Sequence, residues 1–350
     1  MSNLIEVSYT GDLLAHRRCA RAWAYEKHVG IHPYEQVQAM EGFLIHHAMQ
    51  WLTDQFRETS AHASEDNLKI QLERYFLVLW ARGIRTTFRS KADTIGGVIR
   101  HLYADGTPRP EVRAAVEGAI HEEYPLRSVR KVVPELYGGV ELYGGKDKVL
   151  LTGVLDVVIQ QKGNLTYPLT WRWTDKAKLL GEVTEVSDHA QPGDREIWDY
   201  KGTKLKNNTA RDDYVKQVVT YAGLLRERME LPTRCVLFFT NEERSSRRLL
   251  SIPVDDEVVE ASIHWTLQQV EHLRRTVLKF QQNPNLVEGG ALTKQHLPLV
   301  ERVDVDLKAQ CTACSQRFDC KTYRAYLAQS GNYGDGSNHP DVALTNVEKN

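Results

Sequence analysis

The sequence predicts an α/β protein: a mixed β-sheet core flanked by helices, with a helical region ahead of it and a separate segment after it. Three observations carry this expectation. β-Branched runs punctuated by glycine begin near residue 131, as VVPELYGGVELYGG and then VLLTGVLDVVI. Strand-like and helix-like segments then follow one another as far as residue 281, the order expected of strands packed against helices. Before residue 131 the apolar residues recur at helical spacing instead.

Taken in order, residues 10–125 read as helical, on Leu13, Leu14 and Trp23, then Phe43, Leu44, Met49, Trp51 and Leu52, then Leu68, Leu72, Phe76 and Leu79. Residues 1–130 are therefore assigned to a helical N-terminal region and 131–285 to the core. Residues 160–194 are polar and mixed, an expected loop or hairpin insertion with strand pieces around TWRW. REIWDYK is a strand, RDDYVKQVVTYAGLLRERM a helix, RCVLFFTN a buried strand, RRLLSIPV another strand, and DDEVVEASIHWTLQQVEHLRRTVLKFQ a long amphipathic helix. Residues 286–330 form a C-terminal cysteine segment, and 331–350, rich in Gly, Asn and Ser, read as a tail.

With 350 residues and 41% hydrophobic residues, the chain has enough apolar side chains for a sizeable core. It lacks the run of about eighteen apolar residues that a membrane span needs, and MSNLIEVSYTGDLL has neither a basic nor an apolar leader region. A soluble, intracellular protein is expected. The net charge of -1 gives no global attraction for nucleic acid. Polyanion contact would need local patches, such as Arg85, Arg89 and Lys91, or Arg127, Arg130 and Lys131, or Lys201, Lys204 and Lys206.

Chemistry gathers on a few residues. In GVLDVVI, Asp156 interrupts an apolar strand, and a buried carboxylate is costly unless a cation accompanies it. In REIWDYK, strand alternation sends Asp199 and Lys201 to one face and Trp198 and Tyr200 to the other. If the two strands pair, Asp156 and Asp199 approach on one face, and a divalent cation would relieve their repulsion. Mg²⁺ or Mn²⁺ suits oxygen ligands with an imidazole, and Lys201 could then orient a metal-bound water or steady a phosphate under attack. Gln217 and Tyr221, four residues apart, share a helix face with Tyr214 one turn earlier. In EGFLIHHAM, Gly42 precedes His46 by one turn, with His47 as a competitor.

In this order, G-x-x-x-H at Gly42 to His46, G-x-x-D at Gly153 to Asp156, D-x-K at Asp199 to Lys201 and Q-x-x-x-Y at Gln217 to Tyr221, the chain resembles the RecB-like branch of the PD-(D/E)XK nuclease superfamily. The resemblance covers roughly residues 5–325, since DLLAHRRCARAWAYEKHVGI is similar to the family's opening segment. It implies a restriction-endonuclease-like core, metal ligation by His46, Asp156, Asp199 and the carbonyl of Tyr200, Lys201 as catalytic lysine, and Gln217 and Tyr221 as supports for it or for DNA. Glu135 resembles the family's first acidic position, with Glu141 as competitor. The chain departs from the pattern in having Asp199 where Glu is commoner, Ala20 where Pro is common, and a long gap between Asp156 and Asp199. That gap raises the expectation that the insertion reaches over the active site.

The five cysteines are Cys19, Cys235, Cys311, Cys314 and Cys320. Cys235 lies in an apolar strand and reads as a core thiol, while C-x2-C-x5-C with the remote Cys19 suits a four-thiolate site. Spacing alone fits structural zinc and an iron-sulfur cluster equally. The resemblance selects a [4Fe-4S] cluster, because iron-sulfur RecB-like nucleases such as AddB and the fourth CRISPR-associated protein combine one N-terminal cysteine with such a C-terminal trio. The function implied is an Mg²⁺- or Mn²⁺-dependent DNA exonuclease on single strands or duplex ends, in recombination, repair, CRISPR adaptation or phage DNA processing. A cytoplasmic, nucleoid-associated protein of bacterial, archaeal or phage origin follows from the same resemblance. The chain has no G-x-x-x-x-G-K-[ST], so unwinding would fall to a helicase partner. The alternative is a non-catalytic nucleic-acid-binding subunit that keeps the nuclease fold and cluster.

Overall fold

The computed structural model describes residues 4–24, 26–27, 46, 129–144, 147–205, 209–226, 230–240, 242 and 244–281. By contacts the chain forms two compact units, residues 1–14 with 34–274, and residues 15–33 with 275–350.

The first unit is a mixed α/β structure. Its sheet contains β1 (Leu4–Ser8), β2 (Val129–Gly144), β3 (Asp147–Gln161), β5 (Leu169–Asp175), β6 (Leu180–Thr184), β8 (Arg195–Lys201), β9 (Arg234–Phe239) and β10 (Leu249–Pro253). The order is β1-β3-β8-β9-β10-β5-β6, with β2 paired to β3, while β4 (Leu165–Tyr167) and β7 (Asp188–Ala190) pair with each other. β1 lies outside the sequence expectation: LIEVS is too short to show a period, and its parallel partner lies more than a hundred residues away. The strands and helices expected after residue 194 are all present.

β2 pairs with β3 along nearly its whole length, so the other edge of β3 is shared. β1 runs parallel to Lys148–Thr152, and β8 runs antiparallel to Val157–Gln160. Gly153 to Asp156 lie between these two partners. β9 is buried at every residue, as a strand covered on both faces requires. α3 (Thr209–Leu225) packs across one face, where Cys235 Sγ donates to the Val218 carbonyl at 3.4 Å. Cys235 is thus the core thiol that its apolar strand suggested, and burial pushes its pKa well up. α4 (Asp256–Gln281) begins behind Asp255, whose side chain accepts from Val258 N–H at 3.0 Å, and it meets α3 where Arg226 pairs with Glu260.

The insertion differs from expectation. β5 and β6 join the main sheet beyond β10, three strand spacings from β8, or about 14 Å at ordinary spacing, so this part extends the sheet instead of reaching over β8. A buried ionic cluster secures the remainder. Glu196, fully buried, accepts from Tyr167 Oη at 2.5 Å, from Gln161 Nε2 and Trp198 Nε1 at 2.8 Å, and from Arg234 Nη1 at 3.0 Å. Arg234 also pairs with Asp188 and Asp194, each at 3.1 Å. Burial, with Glu196 beside it, pushes the Tyr167 phenol far above its ordinary pKa.

Of the second unit the structure describes α1 (Ala15–Arg18), α2 (Ala20–Ala24) and the last turns of α4. Cys19 links α1 to α2: its N–H donates to the Ala15 carbonyl and its own carbonyl accepts from Trp23 N–H, both at 3.0 Å. Trp23 is buried, a packing role that suits its T-shaped contact with His16.

Candidate active site

The candidate site forms where β1 and β8 leave β3 uncovered. The register Val157↔Trp198, continued by one residue, sets Asp156 opposite Asp199. Residues directly opposed on an antiparallel pair share a face, with Cβ atoms about 5 Å apart. The strands then part, and the Asp156 carboxylate accepts Tyr200 N–H at 2.8 Å in place of a backbone carbonyl. Within a strand the N–H and C=O of one residue leave on the same side, so the Tyr200 carbonyl also leaves toward β3. His46, in a helical conformation, sets Nδ1 3.1 Å from Asp156 Oδ1 and its ring edge-on to Tyr200. Of the two adjacent histidines, His46 is thereby at the site; Gly42 and His47 lie outside the described residues.

Backbone register also separates the two glutamates. β2 pairs Pro134 with Val157 and Leu136 with Leu155, so Glu135 takes the position opposite Asp156. Glu141 is opposite Leu150, six residues away, about 20 Å along a strand. Glu135, Asp156 and Asp199 therefore occupy one rung across β2, β3 and β8, with Glu135 inside its strand and not just ahead of it.

Lys201 lies on the Asp199 face, as alternation requires, and forms an ion pair with it. Its Nζ donates to Gln217 Oε1 at 3.0 Å and sits 4.6 Å from the centre of the Tyr214 ring. Gln217 Nε2 donates to Tyr221 Oη at 3.0 Å and reaches Thr10 Oγ1 at 3.5 Å. The i, i+4 pair on α3 thus forms a relay ending on the lysine. Gly153 admits that helix: a Cβ there would stand 2.7 Å from Tyr221 Cε1 and 3.0 Å from Leu224 Cδ1.

Burial governs the electrostatics. It opposes the Lys201 ammonium, but Asp199 and then Asp156 outweigh it and hold the lysine above its ordinary pKa. Burial lifts Asp199 above the carboxylate range; Lys201 pulls it back in part, while Asp156 pushes it further. Two carboxylates thus act on one ammonium. Burial would lower His46, yet Asp156 and Asp199 raise it overall. Burial and Asp199 together lift the Tyr221 phenol.

By donor type alone these residues suit a hard divalent cation. Asp199 Oδ2 is buried and meets Lys201 as an ion pair without a directional hydrogen bond. Each Asp156 oxygen has one partner and a second lone pair. Two carboxylates, an imidazole and a carbonyl form an oxygen-rich set suited to Mg²⁺ or Mn²⁺. As the side chains stand, no three His, Cys, Asp or Glu side chains among the described residues converge closely enough to hold a metal. Lys201 takes up the Asp199 charge instead.

Sequence patterns do not single out Thr10 or the Lys201–Tyr214 contact. Glu196 carried a signal that went unused: the alternation of REIWDYK sets a carboxylate on the face of Trp198 and Tyr200, where it must find donors. Cys311, Cys314 and Cys320 lie outside the described residues, as do Arg85, Arg89 and Lys91; Cys19 is half-buried. Among the described residues no helix is long and apolar enough to cross a membrane. No family model matches the chain, and no curated protein matches it.

Proposed function

We propose that the protein is a metal-dependent deoxyribonuclease of restriction-endonuclease-like type, acting on single-stranded DNA or DNA ends. One observation carries the reading: a part-buried lysine is bound at once to a carboxylate of its own strand and to a glutamine of α3, beside a second acidic strand position engaged by a histidine. A surface ion pair has no use for that framework.

His46, Asp156, Asp199 and the Tyr200 carbonyl would hold Mg²⁺ or Mn²⁺, which when bound neutralises the carboxylates and makes a coordinated water more acidic. Lys201, released from Asp199, turns its ammonium to a phosphate oxygen and stabilises the charge that grows there. Gln217 keeps Nζ aimed, and Tyr221 fixes which end of the Gln217 amide faces the lysine. Glu135, opposite Asp156, adds a carboxylate that can accept a proton from an attacking water. The same reading gives Cys19, Cys311, Cys314 and Cys320 a [4Fe-4S] cluster, and it is supported by Cys19 sharing a compact unit with residues 275–350.

Calorimetric titration with Mn²⁺, run beside a nucleotide-release assay, tests the reading. Asp156→Asn and Asp199→Asn are expected to lose both metal binding and cleavage while remaining folded. Cleavage that survives in either variant would place the chemistry elsewhere.

A further inference from the structure

β8 and β9 run parallel and end side by side, with Lys201 next to Phe239, so the loops that follow them open at the same end of the sheet as the lysine. These loops are fastened together. Thr240 N–H donates to the Lys201 carbonyl at 3.0 Å, and Phe239 N–H donates to the Arg248 carbonyl at 2.8 Å. Glu242 is buried; its Oε2 accepts Leu205 N–H at 3.3 Å and its Oε1 accepts Arg244 N–H at 3.4 Å. Arg248 Nε closes the turn on the Glu242 carbonyl at 2.7 Å. A buried carboxylate bound to backbone N–H groups of both loops fixes their geometry, since leaving either side unmade is costly.

This frame carries cations. Arg244 is exposed, Arg247 is half-exposed in the turn Ser245–Arg247, and Lys204 is exposed on the neighbouring loop. On the same compact unit, exposed Arg172 pairs with Glu182 and exposed Arg226 with Glu260. Arg244 and Arg247 form no ion pair among the described residues. Arg244 follows Phe239 by five residues, a span of at most about 17 Å, and the turn doubles back within it.

We infer that this rim, with Arg244 and Arg247 as its main contacts, binds the phosphodiester backbone of a single strand and leads it to Lys201. The inference rests on the nuclease reading and names the surface that delivers its substrate. Sequence-independent binding is expected, because guanidinium contacts to phosphate carry no base information.

The test is fluorescence anisotropy of labelled oligothymidylate with anaerobically purified full-length protein in chelator, over a series of salt concentrations. Loss of two phosphate contacts in Arg244→Ala/Arg247→Ala should weaken binding and make the slope of log affinity against log salt shallower by about 1.4. The Arg244→Lys/Arg247→Lys variant, which keeps both charges, should restore the slope. A wild-type slope in the folded alanine variant would overturn the rim alone and leave the nuclease reading standing. Absence of binding by the wild-type protein would overturn both.

Discussion

At the scale of single residues, the site is governed by which charges are withdrawn from water and what each one faces. His46 holds its proton more tightly beside Asp156, its pKa raised from the ordinary 6.5. A raised imidazole contributes stability that is fully present below the unfolded value and is lost as pH rises through the folded one. In chelator, the difference in Tm between the wild type and His46→Gln should therefore shrink from about pH 6 to about pH 8. A difference that stays constant across that range would show that the pair adds nothing. On the reverse face, Glu196→Ala should cost about 3–5 kcal/mol in urea unfolding, because Arg234, Tyr167 and Trp198 lose a buried acceptor together; a cost under about 1 kcal/mol would mean that water replaces it. Some of the site is legible in the sequence alone. The two-residue period of REIWDYK puts Asp199 and Lys201 on one face, and four-residue helical spacing joins Gln217 to Tyr221. Helical spacing alone leaves His46 and His47 open; the G-x-x-x-H match names His46, and it is His46 that meets Asp156, 110 residues away.

At the scale of elements, the site exists because two strands share one edge of β3 and leave a gap. Local patterns identify strands well when they are apolar and bounded by turns, as β8, β9 and β10 are. They do not reveal register, and register is what selects Glu135 over Glu141 and sets Asp156 opposite Asp199. The place of the insertion escapes local patterns for a related reason: LTWRWTD alternates in burial, but its neighbour β10 comes about eighty residues later. Gly153 shows the packing that register makes possible. Gly153→Ala should push against Tyr221 and Leu224 and destabilise the fold by about 1–3 kcal/mol, read from urea midpoints. It should also slow cleavage, since Tyr221 holds Gln217 against Lys201; an unchanged midpoint would mean that α3 can shift freely.

At the scale of the whole molecule, residues 15–33 and 275–350 belong to one compact unit although residues 34–274 lie between them in the chain. A cluster joining Cys19 to Cys311 would close a loop of about 290 residues, an entropic contribution of roughly 5 kcal/mol. Anaerobically purified protein should therefore be brown with absorption near 400 nm, and Cys19→Ala should lose both the colour and much of the stability; a colourless, stable wild type would remove the cluster from the account. Nuclease activity is read by incubating end-labelled single-stranded and duplex DNA with the protein, with and without Mg²⁺ or Mn²⁺, beside Lys201→Ala. Digestion should require the metal and disappear in the variant while DNA binding persists. Intact DNA after incubation with folded, brown, DNA-binding wild-type protein would contradict the nuclease reading and leave a binding subunit built on a nuclease-like frame.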